Sequence, residues 1–469
     1  MGMSGEAIAE IGNDKPREEC GIIGIYSNVP RSLTPLVYEG LLRLQHRGRE
    51  AAGISLPYPG EILEAKTAGT VDMLEVEDLR KLATFLTHTA LGHVRYGTVS
   101  PDVDPRKAAA PNTGKSRTGI SVHLGHNGNI IRQRHNQRRY LTDSGLLQHN
   151  LADGVDTEQD LPEVAEKVLQ DVEGGFALAI ATPSQLVGVL DRNAIRPAVL
   201  GRFRDRSGYV IASESPAVEA IGAEFIRELD PGEMVIIDRD GVRSKQIFKD
   251  SSPKRCVFES IYFSRPDARI HGTSVQQQRR NMGRVLAQES PVSADLVVGV
   301  PDSGIPAALG YSFESGIPMD FGFVRNRFSG SDVRSFIAPT DELRISAVRR
   351  KLTVDSKVVK GKILIVVDDS IVRGITSREI VQMLKEAGAK EVHLRITAAE
   401  NKYPCFYGVD MNEPSQLLAN QMTIPEMEAF LGVKSLAYLS LDGLTKALGQ
   451  SEETQCRACF TGNYPTPTP

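Results

Sequence analysis

No stretch of this 469-residue sequence comes near the ~20 consecutive apolar residues that a membrane-crossing helix requires. The longest apolar runs, such as residues 363–367, fall far short of it, so a transmembrane helix is excluded and no membrane partner is expected. An excess of one charge is missing too: 55 Lys and Arg against 59 Asp and Glu leave a formal charge of −4. That balance excludes a wholesale electrostatic binder of nucleic acid. One basic stretch with an aromatic, RQRHNQRRY (132–140), reads as a solvated face. The first nineteen residues lack the basic start and apolar run of a secretion signal, and Glu6 stands where a myristoylation motif wants Ser or Thr. The expected compartment is the cytoplasm, where disulfides are rare. The five cysteines (Cys20, Cys256, Cys405, Cys456 and Cys459) therefore need another explanation. Internal repeats, low-complexity tracts and HExxH-like histidine spacings are also absent. What is present is ordinary globular composition, 41% hydrophobic and 24% charged, which excludes a disordered chain. At roughly 150 residues per domain the length allows two or three.

Residues 21–27, GIIGIYS, read as a short apolar strand directly after Cys20. Val37, Leu41 and Leu44 then recur at helical spacing, with Gly48 past the end. From there to about residue 245, short strand-like runs broken by Gly, Asn and Asp give a strand-rich α+β reading. The polar stretch SKQIFKDSSPKR (244–255) is the expected linker. Beyond it the rhythm becomes strand, loop, helix, strand: DLVVGV (295–300), GKILIVV (361–367), SREIVQMLKEAG and EVHLRIT (391–397). Ile380, Met383, Leu384 and Ala387 form one helical face, and Gly388 supplies a stop. That order implies a parallel sheet with ligands at the carboxyl ends of its strands. The last residues, NYPTPTP, read as a loose tail.

The segment ILIVVDDSIVRGIT (363–376) carries the most chemistry. Two acids, Asp368 and Asp369, sit where a buried strand ends, and a Gly-containing loop leads into a helix N-terminus. Such a loop offers amides and a positive dipole end to a phosphate, while the acids can bind sugar hydroxyls or approach a magnesium-bound ligand. A βα turn whose acids merely cap the helix is the alternative. The four cysteines other than Cys20 include a C-x-x-C pair, and their spacing leaves a zinc site and an iron–sulfur cluster both open.

The Asp-Asp…Gly-x-Thr pattern resembles the phosphoribosyl diphosphate motif of type I phosphoribosyltransferases. With VPDSGIPAALGY (300–311), the longer match resembles the amidophosphoribosyltransferase family. Further pieces carry the likeness over nearly the whole chain from Cys20: LQHRG (44–48), GHVRY (92–96), HNGN (126–129), ASESPA (212–217), YFSRPD (262–267), FIAP (336–339) and PCFYG (404–408).

The resemblance implies a propeptide (1–19), an N-terminal-nucleophile αββα glutaminase domain (20–245) and a type I phosphoribosyltransferase domain (255–469). It implies that Cys20, freed at its α-amine, attacks glutamine, with Asn127 and Gly128 as oxyanion hole. Arg95 and Thr98 would hold the glutamine carboxylate and Asp143 its ammonium, with Arg47 supporting this region. On phosphoribosyl diphosphate, Asp368 and Asp369 would hold the ribose and, with Ser303, magnesium. Arg373, Gly374, Ile375 and Thr376 would cradle the 5′-phosphate. Asp302, Ser303 and Gly304 would face the pyrophosphate, with Arg325 and the basic residues after it (Arg327, Arg334, Arg344, Arg349, Arg350, Lys351) closing over it. The family's iron–sulfur branch makes Cys256, Cys405, Cys456 and Cys459 ligands of a structural 4Fe–4S cluster. A homotetramer inhibited by purine nucleotides is also implied.

Several residues depart from the family pattern: Arg49 for glutamine, Gly145 for an acid, Ile375 for threonine, Arg325 for lysine and Phe328 for tyrosine. Residues 97–102 and 329–333 are unusual in content, and only fifteen residues separate Asn127 from Asp143. The departures clustered around Asp143 motivate one rival expectation, a specialised paralogue with a weakened glutaminase; a rival of another class is a non-catalytic phosphoribosyl diphosphate sensor built on the same fold.

Overall fold

The computed structural model describes residues 20–96, 105–133, 142–326, 348–411 and 413–468. Its first half is two antiparallel sheets laid face to face. One has seven strands, in the order Ala223–Glu228, Val199–Phe203, Gly208–Ala212, Gly21–Arg31, Thr87–Arg95, Ala51–Tyr58 and Glu61–Ala68. The other has six, in the order Gly241–Gln246, Glu233–Asp238, Leu186–Leu190, Val172–Ala181, Ser121–Gln133 and Asn112–Lys115. Period-2 alternation explains why the strand after Cys20 is apolar on both sides. Ile23 and Ile25 pack outward with Val37 and Leu41 of the helix Thr34–Leu44. Ile22 and Tyr26 pack inward against Ala177, Ala179 and Leu186 of the facing sheet. On the far side the helices Asp143–Gly154 and Leu161–Leu169 bury Leu147, Leu151 and Leu169 over the second sheet. The layer order is αββα.

The second half is built on a four-stranded parallel sheet, Leu296–Gly299, Ile363–Asp368, Glu391–Ile396 and Ser435–Tyr438 in spatial order. Leu296–Gly299 and Ile363–Asp368 are near-continuous apolar runs, as expected of covered parallel strands, whereas Glu391–Ile396 alternates polar and apolar residues. The helix Ile375–Glu386 buries Ile380, Met383 and Leu384, the face expected from spacing, and Gly388 follows it at φ 94°. Among the described residues no helix is long and apolar enough to cross a membrane.

Two expectations are corrected. The stretch 244–255 is not a free linker: it opens as the end of an edge strand, and Ile247 and Phe248 are buried in the first domain's core. Its remainder is pinned by Ser252 N donating to Arg192 O (3.1 Å) and Lys254 N to Asn193 O (2.7 Å). The C-terminal residues are not loose either. Tyr464 Oη donates to Pro404 O at 2.8 Å and Thr466 N to Tyr407 Oη at 3.1 Å, so the aromatic in an otherwise polar tail anchors it. Arg255–Cys256 and Gln455–Cys456 pair as parallel strands, joining the start of the second half to the chain's end.

Candidate active site

Cys20 precedes the central strand of the seven-stranded sheet, and its half-buried thiol donates to Tyr96 O at 3.3 Å. Burial pushes the thiol pKa up, against the lowering effect of the nearby Arg95 guanidinium. The resting group is therefore a thiol that needs a base. Arg95 ends the neighbouring strand Thr87–Arg95, whose Val94 pairs with Gly21. Its buried Nε has no hydrogen-bond partner among the described residues. The glycine of HRG is dictated by this approach, since a Cβ on Gly48 would lie 2.5 Å from the Arg95 carbonyl carbon.

Asn127 is fully buried in the facing sheet, and neither its Nδ2 nor its Oδ1 has a partner among the described residues. An orphaned buried amide costs about 1–3 kcal/mol, a penalty relieved by a ligand that accepts from it. Gly128 beside it has φ 125°, and a Cβ there would sit 2.0 Å from Gly175 O, so only glycine fits. Asp143 opens the helix Asp143–Gly154, whose Thr142 cap accepts from Gly145 N at 3.0 Å. Its Oδ2 accepts from Ile130 N at 3.2 Å, and its charge also acts on Cys20. Cys20, Arg95 and Asp143 thus share one electrostatic site, with Asn127 and Gly128 on the strand to which Asp143 is tied. Thr98 lies outside the described residues, as do residues 1–19.

The structure gives Arg47 a different post from glutamine binding. Its guanidinium is fully buried, donating to Glu214 (Nε, 2.5 Å), Glu259 (Nη2, 2.5 Å) and Ser264 Oγ (3.1 Å). Glu259 and Ser264 belong to the second half of the chain, so Arg47 clamps the two halves together. Its Cδ still lies against Gly21, 3.3 Å from where a Cβ would be, directly beneath the nucleophile. Glu214 and Ser264 stand inside ASESPA and YFSRPD, segments whose charge partners only the fold reveals.

In the second half, Asp368 and Asp369 are buried at the end of their strand. Thr397 N and Ala398 N donate to their carbonyls at 3.0 and 2.8 Å, which fixes the loop. Ser303 Oγ donates to Asp369 Oδ2, so the 301–304 turn and the acidic pair meet. Gly304 permits this closeness: a Cβ would stand 2.4 Å from Val367 O. Gly374, at φ 83°, precedes the helix Ile375–Glu386 and turns its first amides toward the loop. Arg325 is ion-paired with Asp302 at the loop's mouth. Arg349 instead pairs with Glu379 (2.6 Å) and Glu386 (2.9 Å), away from a pyrophosphate-facing role. Arg327, Arg334, Arg344 and Phe328 lie outside the described residues.

Cys256, Cys405, Cys456 and Cys459 line one cavity with Arg196 and Tyr407. Burial raises the thiol of Cys256 to about 11 and those of Cys456 and Cys459 further, each also pushed up by its neighbouring thiols. Among the described residues no three His, Cys, Asp or Glu side chains close around a single ion. The loop carrying Cys405 also reaches the first site, which the sequence did not disclose. Asn129 Nδ2 donates to Phe406 O at 2.8 Å, and a Cβ on Gly408 would stand 3.3 Å from Gly128 Cα.

The phosphoribosyl transferase domain family matches residues 271–405. An amidophosphoribosyltransferase of Mycobacterium tuberculosis is 42% identical over 97% of this chain and 88% of its own length. A solved structure titled as the allosteric regulatory enzyme of purine biosynthesis superposes with a TM-score of 0.85 at 38% identity, covering 96% of each chain. The Bacillus subtilis glutamine phosphoribosylpyrophosphate amidotransferase, solved with ADP and GMP, gives 0.84 at 38% identity, covering 96% of this chain and 98% of that one.

Proposed function

The chain belongs to the amidophosphoribosyltransferase family, and from that premise we propose how its two sites divide the first step of purine synthesis. In the first, Cys20 Sγ attacks the glutamine carboxamide carbon, and the oxyanion that forms accepts from Asn127 Nδ2 and Gly128 N. Arg95 pairs with the substrate's carboxylate and Asp143 with its ammonium. Ammonia leaves, and water releases glutamate from the thioester. The base is the α-amine of Cys20 once residues 1–19 are removed: burial keeps the thiol protonated, and an amine of pKa about 7.7–8.0 is partly free base near neutral pH and can take that proton. Ammonia then displaces pyrophosphate from C1 of phosphoribosyl diphosphate, giving 5-phosphoribosylamine. Asp368 and Asp369 hold the ribose hydroxyls, residues 373–376 the 5′-phosphate, and Asp302, Ser303, Gly304 and Arg325 the pyrophosphate.

The oxygen donors of Ser303 and Asp369, already in contact, suit a hard cation. Magnesium there would offset charge on the departing pyrophosphate. Four cysteine thiols lining one cavity are the soft donor set that an iron–sulfur cluster takes. A 4Fe–4S cluster would stabilise the junction of residues 405–411 with the C-terminus. Anaerobically purified protein should be brown and contain iron and labile sulfide; a colourless, zinc-containing preparation contradicts this. ADP and GMP on the Bacillus relative support purine nucleotides as ligands of this chain, for which the family resemblance implies a cytoplasmic homotetramer. A native mass that is not four times the chain mass would overturn that assembly.

The observation that carries the glutaminase reading is the orphaned, fully buried amide of Asn127. Asn127→Ala is expected to lower glutamine-driven kcat by about 10²–10³ and leave ammonium-driven turnover unchanged. Undiminished glutamine-driven turnover would contradict the reading.

A further inference from the structure

His93 stands at the centre of the strand Thr87–Arg95, paired with Ile22 on one side and Gly53 on the other, and is 1% exposed. Its ring crosses between the two sheets, where Nε2 lies 2.8 Å from the carbonyl oxygen of His126. A carbonyl can only accept, so Nε2 carries the proton. The other nitrogen, Nδ1, is buried with no partner among the described residues. Burial pulls this imidazole down to about 3, so it stays neutral at any working pH. The group is therefore a fixed donor and has no part as an acid or base.

The carbonyl it holds belongs to the peptide that joins His126 to Asn127. From the same residue a second line of bonds runs onward: His126 Nδ1 is 2.7 Å from Ser144 Oγ, which donates to Asp143 Oδ1 at 3.1 Å. Because the carboxylate takes the hydroxyl proton, His126 Nδ1 must be the donor to Ser144. The direction of every bond is thereby set, from the nucleophile's sheet through the 126–127 peptide to the head of the Asp143 helix.

We propose that His93 is a positioning residue for the glutamine half-reaction. Its Nε2–H fixes the 126–127 peptide and so aims Asn127 Nδ2 and Gly128 N at the developing oxyanion. This rests on the oxyanion reading of Asn127 and Gly128. A donor displaced by a fraction of an ångström from the oxyanion position loses most of its effect on the transition state, with little change in ground-state binding.

The test compares His93→Met with His93→Gln, two side chains of similar length of which only the second can donate to the His126 carbonyl. Both are measured with glutamine and with ammonium, with Asn127→Ala alongside. His93→Met should lower glutamine-driven kcat about tenfold to a hundredfold, leaving KM for glutamine and ammonium-driven turnover unchanged. His93→Gln should restore most of the lost kcat. Equal losses in Met and Gln, or a loss confined to KM, would overturn the positioning role. So would normal kcat in His93→Met when Asn127→Ala is impaired. Normal glutamine turnover in Asn127→Ala would instead overturn the oxyanion reading beneath it. Should His93→Met fail to fold, the Gln variant still decides: a folded His93→Gln with kcat as low as Asn127→Ala contradicts the proposal.

Discussion

Replacing Cys20 with alanine is expected to abolish glutamine-driven formation of phosphoribosylamine and leave ammonium-driven formation in place. The expected fall in glutamine-driven kcat is on the order of 10⁶, the scale for deleting a covalent nucleophile. No second cysteine can substitute, since the other four line a separate cavity at the junction of the two halves, which Ile195 and Arg196 also line. Ammonium bypasses the lesion because Asp368, Asp369 and the 373–376 loop are held by their own sheet and by Ser303, none of which touches Cys20. Cys20→Ala should also retain residues 1–19 when expressed as the whole chain, if the nucleophile drives its own release; intact mass reads this directly. A variant that hydrolyses glutamine normally would contradict the assignment of the nucleophile.

The second large effect is structural. Arg47→Met is expected to destabilise the protein by roughly 3–5 kcal/mol at pH 7, the usual cost of removing one partner from a buried ion cluster. In the wild type, burial opposes ionisation of Glu214, yet His46 and Arg47 hold its carboxyl well below the usual range. Against its own burial, Arg47 is held above its usual value by Glu259 and Glu214. A carboxyl depressed in the folded state contributes stability above its unfolded pKa of about 4.3 and loses it as pH falls through the folded value. The contribution of Glu214 should therefore hold from pH 7 to 5, while the buried neutral histidines, His93 and His123 among them, make the wild type as a whole less stable as pH falls through their unfolded pKa of about 6.5. Without Arg47, burial acts on Glu214 with only His46 and the Arg265 amide against it, so the deficit of the variant relative to the wild type should widen as pH rises from 5 to 7. Urea titrations at the two pH values check the sign. A variant as stable at pH 7 as the wild type would show that the clamp contributes nothing.

How much of this could be read from the sequence depended on whether the chemistry was local. The 363–376 segment announces its strand, acids, loop and helix in consecutive residues, and Ile363–Asp368 followed by Ile375–Glu386 is what the structure holds. The apolar run after Cys20 likewise reads as a short strand, and the structure buries both of its faces. Long-range partners left no such trace. Nothing near Arg47 indicates that Glu259 and Ser264, more than two hundred residues on, take its guanidinium. PCFYG reads as a cysteine site, whereas Phe406 and Gly408 also press on the strand of Asn127 and Gly128. The stretch 244–255 misled because its polar residues outnumber Ile247 and Phe248, and two buried side chains are enough to dock a segment. Nothing in the sequence sets His93 apart from the other histidines until the facing sheet supplies its acceptor.

The most direct test of the central claim is pyrophosphate release from phosphoribosyl diphosphate with magnesium, glutamine compared with ammonium as nitrogen donor. Turnover with both is expected, the glutamine-driven rate alone falling in Cys20→Ala. Turnover with ammonium alone would contradict a working glutaminase and favour the specialised paralogue, and no turnover with either would favour a sensor.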